Sequence, residues 1–103
     1  MIILRDYLDR PVRLTDERRA HILEHTEMAG MEAELAETLR HPRLVIRSRT
    51  DPSAEMSYCY FQGTQVGGKW LCVDVKYLIG DAFVLTAYLT DKPKRGEQLW
   101  PKE

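Results

Sequence analysis

The apolar residues of this chain change period near residue 43. Before that point they recur at helical spacing: Met31, Leu35 and Leu39 stand at i, i+4 and i+8, and Ile22 and Ala29 lie one above the other on an earlier stretch. After it they alternate. LVIRSR at 44–49, MSYCYFQ at 56–62, KWLCVDVKYLI at 69–79 and AFVLTAYLT at 82–90 are rich in β-branched and aromatic residues, and Asp51-Pro52, Gly67-Gly68 and Gly80-Asp81 punctuate them. Helices first and strands afterwards predict an α+β fold, with N-terminal helices packed on one face of a four-stranded antiparallel sheet.

A chain of 103 residues has room for one core, so residues 1–103 are expected to form a single domain. It divides into a lead-in over 1–14 with one short extended piece, helices over 15–41, the sheet over 43–90 and a basic C-terminal tail over 91–103. Thr15 reads as an N-cap because Asp16 and Glu17 follow in the first turn, where the helix dipole favours acid, and a helix over 16–28 is predicted from it. Gly30 interrupts the pattern, and the second helix must end before Pro42.

Hydrophobic residues at 44% and charged residues at 30% are ordinary globular usage. The longest apolar runs, Met1 to Leu4 and Ala82 to Leu85, fall far short of the ~20 residues that span a bilayer. Arg5, Asp6, Asp9 and Arg10 interrupt any signal-peptide core, so a cytoplasmic protein without a membrane partner is expected. Cys59 and Cys72 lack CxxC spacing and are expected to be reduced. A net charge of −1 argues against coating nucleic acid by bulk attraction, yet the charges are segregated. Glu24, Glu27, Glu32, Glu34 and Glu37 load one segment, Arg40, Arg43, Arg47 and Arg49 follow with His41, and Lys92, Lys94 and Arg95 cluster near the end.

The last hairpin is specified further by its pattern. Matching the apolar faces of its two strands requires paired residue numbers that sum to an even value, which fixes an odd-length loop, as when Ile79 pairs with Phe83. Lys76 then faces Thr86, Asp74 faces Tyr88, and Trp70, Asp74, Lys76, Thr86 and Tyr88 share the face that the helices leave open. That face is either the wet side of a two-faced sheet or a site where lysine and hydroxyls meet a phosphate. Trp70 and Tyr88 can stack on bases or serve an ordinary interface. Arg47 fits phosphate bidentately or protects an edge strand. His21 and His25, one helical turn apart, suit proton transfer near neutral pH; a metal site would need a third ligand that only His41 and scattered carboxylates offer, so neither metal nor cofactor is expected. No GxSxG turn, P-loop, GxGxxG fingerprint or HExxH helix is present.

RLTDERRAHILEHTEM at 13–28, ETLRHPRLV at 37–45, WLCVDVK at 70–76 and FVLTAYLTDKPKRGEQLW at 83–100 together resemble the small phage and bacterial domains grouped with the barnase, EndoU, colicin and RelE-like nucleases. The resemblance covers about 85 to 90 of the 103 residues, with Thr26 where the family usually has proline. It implies helices before a four-stranded antiparallel sheet and metal-independent, toxin-like cleavage of RNA, with an antitoxin or immunity protein as a possible partner. Such cleavage needs a base, an acid and cations at phosphorus. His25 is the expected base or acid with His21 as its partner; Lys76, Arg47 and Lys92 hold phosphate; Thr86 donates a hydrogen bond; Tyr88 positions a base or shares the acid role; and Trp70 stacks on the substrate. The rival expectation is a catalytically inactive RNA- or protein-binding module of the same fold.

Overall fold

The computed structural model describes Met1 to Lys102. Strands β1 (Ile2–Arg5) and β2 (Pro11–Leu14) precede helices α1 (Asp16–Leu23) and α2 (Glu32–Arg40), and β3 (Leu44–Arg47), β4 (Ala54–Thr64), β5 (Gly67–Leu78), β6 (Asp81–Thr90) and β7 (Gln98–Trp100) follow. All seven strands form one mixed sheet in the order β1-β2-β6-β5-β4-β3-β7. The expected arrangement of N-terminal helices on a four-stranded antiparallel sheet is therefore corrected. The four alternating segments do pair antiparallel as β3 to β6, but they form the middle of a larger sheet. The lead-in supplies a hairpin that docks parallel to β6 through Arg13 and Phe83, and the tail supplies an edge strand beside β3.

Both additions are short strands that rely on tertiary contacts. The β1–β2 loop closes on Asp6, which is fully buried. Its carboxylate accepts from the Leu8 and Arg10 backbone N–H groups at 2.9 and 2.8 Å, from Arg10 Nε at 2.7 Å and from the Tyr77 hydroxyl at 2.6 Å. Burial first, and then Asp6, pushes the Tyr77 pKa up, so the phenol stays a donor. Arg13 adds a two-pronged ion pair to Asp81, both bonds at 2.9 Å, that fastens β2 to the start of β6.

The helices cover one sheet face. Met31, Leu35 and Leu39 are buried as their four-residue spacing requires, against Leu71, Val73, Val75, Val84 and Ala87. Helix α1 is capped by the Thr15 side chain but stops at Leu23, where helix to 28 was expected. At about 100° per residue, a straight helix would point Met28 about 120° away from Ile22. His25 instead takes an extended conformation (φ −76°, ψ 115°) and a 3-10 turn over Thr26–Met28 follows, so both Ile22 and Met28 reach the core, each 1% exposed.

The odd-length loop expected in the β5–β6 hairpin, with Ile79 opposite Phe83, is corrected. Leu78 pairs with Asp81 across a two-residue turn containing Gly80 at φ 72°, the left-handed conformation open to glycine. The register then shifts between Asp74 and Val75, where Asp74 pairs with Thr86 and Val75 with Val84, leaving Leu85 as a bulge. Val84 and Ala82 thus turn toward the helices in place of Leu85 and Phe83. Lys76 faces Phe83, not Thr86, although both stay on the helix-free face.

Candidate functional site

On the helix-free face the pairing sets side chains in rows across the strands. One row holds Tyr60, Trp70 and Thr90; the next holds Leu44, Tyr58, Cys72 and Tyr88; a third holds Ile46, Met56, Asp74 and Thr86. Ile46, Met56, Tyr58 and Cys72 are buried as a second small core, with Leu44, Trp70 and Tyr88 packed on it. This side is therefore not simply wet. The segment from Asp91 to Glu97 lies over it: the Lys94 backbone N–H donates to the Tyr58 hydroxyl at 3.1 Å and the Arg47 N–H donates to the Glu97 carbonyl at 2.9 Å. Gly96 passes so close to β3 that an added Cβ would sit 2.6 Å from the Arg47 carbonyl oxygen.

Three aromatic rings remain accessible at the open end of this face. Tyr60 and Trp70 meet edge to face with centroids 5.6 Å apart, Tyr58 supports Trp70 from beneath at 6.5 Å, and the Lys94 ammonium lies 5.8 Å from the Tyr88 ring centre. Lys92 adjoins Thr90, whose hydroxyl donates to the Lys92 carbonyl. Among the described residues, Lys92, Lys94 and Arg95 form no ion pair with a carboxylate. Asp74 lies below the strap, one carboxylate oxygen buried and without a hydrogen-bond partner, and burial raises its pKa.

The expected catalytic groups are divided by the sheet. His21 and His25 have ring centroids 6.3 Å apart and lie on the helical side, where both are exposed. The His21 Nδ1 is 3.7 Å from Glu24, and that of His25 is 4.0 Å from Glu27. Lys76, Thr86, Tyr88 and Trp70 belong to the opposite face. The Lys76 ammonium is held by Asp51, whose pKa falls to about 2 through hydrogen bonds from Lys76 and Ser53. Arg47 is tied to Glu97 and to the Pro52 carbonyl, each at 3.0 Å. Burial and then Cys72 push the Tyr88 pKa up, which makes its phenol a poor acid. Thus the structure brings together Trp70, Tyr88, Thr86 and the strap that carries Lys92, but not the histidines with Lys76 or Thr86.

Neither cysteine is in a disulfide. Cys59 and Cys72 point to opposite faces, as the pairing of Cys59 with Leu71 and of Cys72 with Tyr58 requires. Burial raises the Cys72 thiol to about 11. Among the described residues, no group of three or more His, Cys, Asp or Glu could hold a metal ion, and no helix is long and apolar enough to cross a membrane.

The sequence reading missed the polar network around Asp6, in which Glu55 accepts from Tyr7 at 3.0 Å and from Arg10 at 3.3 Å. Its signal was two apolar tetrapeptides, IILR and PVRL, enclosing a segment with Asp6, Asp9 and Arg10, the pattern of a hairpin with a charged loop. Comparisons with models of protein families, with curated proteins and with solved structures give no match to this chain, so they lend no support to the nuclease-family resemblance.

Proposed function

We propose that this protein is a non-enzymatic module that binds single-stranded RNA on the helix-free face of its sheet. The observation that carries this is the side-by-side placement of Trp70, Tyr60 and Tyr88 with the cationic strap Lys92, Lys94 and Arg95. Partly exposed rings give stacking that tolerates any base, and cations that form no ion pair among the described residues meet the phosphates between them. A local cluster suffices although the whole chain carries −1. Binding is favoured over cleavage because the proton-transfer candidates His21 and His25 lie across the sheet from the rings, and because Lys76 is engaged by Asp51.

Fluorescence anisotropy of a labelled single-stranded RNA tests this. One lost stacking contact is worth ~1–3 kcal/mol, so Trp70→Ala should weaken binding roughly 5- to 150-fold. If the three strap cations each meet a phosphate, log K should fall with log salt at a slope of about −2, from ~0.7 per contact on a single strand. Equal affinity of Trp70→Ala and wild type, or no dependence on salt, would reject the face as the site.

A further inference from the structure

A second recess lies between the β1–β2 loop and β7, with a volume of about 410 Å³, within the ~300–1,000 Å³ usual for small-molecule sites. Tyr7 and Trp100 form one wall, with ring centroids 5.9 Å apart and planes tilted by 45°, and Arg10, Arg47, Lys102 and Glu55 line the rest with Leu8 and Leu99.

The cations here are held from behind. Arg10 Nε bonds to Asp6 at 2.7 Å and its Nη2 to Glu55 at 3.3 Å, while the guanidinium carbon stacks 4.1 Å from the Tyr77 ring centre. Arg47 gives its Nε to Glu97 and its Nη1 to the Pro52 carbonyl. Each guanidinium is thus fixed by two bonds and keeps one nitrogen, Nη1 of Arg10 and Nη2 of Arg47, without a hydrogen-bond partner among the described residues. The Lys102 ammonium has none there either. Glu55 accepts both of its bonds on Oε1 and none on Oε2.

We infer that this groove binds a nucleoside monophosphate. The free nitrogens of Arg10 and Arg47, with Lys102, supply three donors for the three terminal oxygens of a phosphate monoester, and guanidinium forks suit such an anion. Trp100, 41% exposed, offers an open ring for the base to stack on. Glu55 Oε2 accepts a hydrogen bond from a sugar hydroxyl, which the nucleotide offers and the free anion does not. This groove lies on the helical side of the sheet, away from Trp70 and Tyr88, and touches the strap only through the pairing of Arg47 with Glu97.

The test is a titration of ¹⁵N-labelled protein with adenosine monophosphate, adenosine and inorganic phosphate, following the indole N–H signals of Trp100 and Trp70 and the amides of Tyr7, Arg10 and Glu55. Adenosine monophosphate should shift the Trp100 signal and those three amides saturably and leave Trp70 unmoved, with adenosine and phosphate each binding about tenfold more weakly or less. Lys102→Ala, an exposed position whose change leaves the fold intact, should weaken binding about tenfold for one lost charge-assisted bond. A 5′-phosphorylated oligonucleotide compared with its 5′-hydroxyl twin separates a free nucleotide from a strand end; a phosphate-dependent shift at Trp100 in that pair supports the groove as well. No shift at Trp100, shifts centred on Trp70, or affinity unchanged by Lys102→Ala would overturn it. The first two outcomes leave the RNA face standing, because Trp70 reports that face separately.

Discussion

Replacing Asp6 by Asn isolates the charge that closes the first hairpin. The side chain is fully buried and its two oxygens take four hydrogen bonds. Asn keeps the shape, and its carbonyl oxygen can still accept from the Leu8 and Arg10 backbone N–H groups. Its NH₂ would face Arg10 Nε, which can only donate, and Tyr77, which can turn to accept. One charge-assisted bond is lost, worth ~1.5–3 kcal/mol, and Arg10 keeps only its Glu55 carboxylate. Breaking a buried pair costs about 3–5 kcal/mol, but Arg10 is 36% exposed and solvent screens part of this, so about 3 kcal/mol is expected. For a domain of this size that lowers Tm by roughly 12–24 °C. Thermal and urea unfolding followed by circular dichroism measure it, and hydrogen exchange at Leu8 and Arg10 shows whether the loss is local. A fall of less than about 3 °C would mean that the hairpin does not depend on the Asp6 charge, and would refute the account of why β1 and β2 join the sheet.

Gly96→Ala should destabilise the strap by about 1–3 kcal/mol, because the new methyl meets the Arg47 carbonyl and the Ile46 side chain; faster proteolysis between β6 and β7 would register it, and unchanged protection would contradict it. With its folded pKa lowered to about 2, Asp51 stabilises the fold fully above its unfolded value near ~3.9, and this contribution is lost as pH falls through about 2. Wild type should therefore lose more stability than Asp51→Asn on acidification from about pH 5 to pH 2, and parallel pH profiles would contradict that. In the folded protein a maleimide should modify Cys59 well before Cys72, whose thiol is buried and held protonated up to about pH 11; equal rates at the two positions would show that the second core opens freely.

The helical and alternating periods made α2 and the four central strands legible, because each follows from residues a few positions apart. Met31, Leu35 and Leu39 are buried as spaced, and the segments from Leu44 to Thr90 lie where alternation puts them. β1, β2 and β7 could not be read in that way: strands of three or four residues have too few side chains to show a period, and they are held by remote partners such as Tyr77 for Asp6, Asp81 for Arg13 and Arg47 for Glu97. The odd-length loop expected for the last hairpin is wrong, because alternation cannot tell a residue added in the loop from one bulged out at Leu85, and the chain bulges. The division of the candidate site has the same origin. Alternation already set Lys76 and Thr86 on the face that the helices leave open, but whether His21 and His25 reach that face around an edge of the sheet depends on where α1 lies, and neighbour spacing does not carry that. Leu71, Val73 and Val75 drew the helices to the face opposite Lys76.

The most direct test of RNA binding without cleavage is one incubation read in two ways. Purified protein is mixed with an end-labelled single-stranded RNA in the presence and absence of EDTA, then resolved both on a native gel and, after protein extraction, on a denaturing gel. The account predicts a retarded complex on the native gel, lost with Trp70→Ala, and full-length RNA on the denaturing gel under both conditions. Shortened RNA that is restored to full length by His25→Ala would contradict it and establish the metal-independent ribonuclease instead.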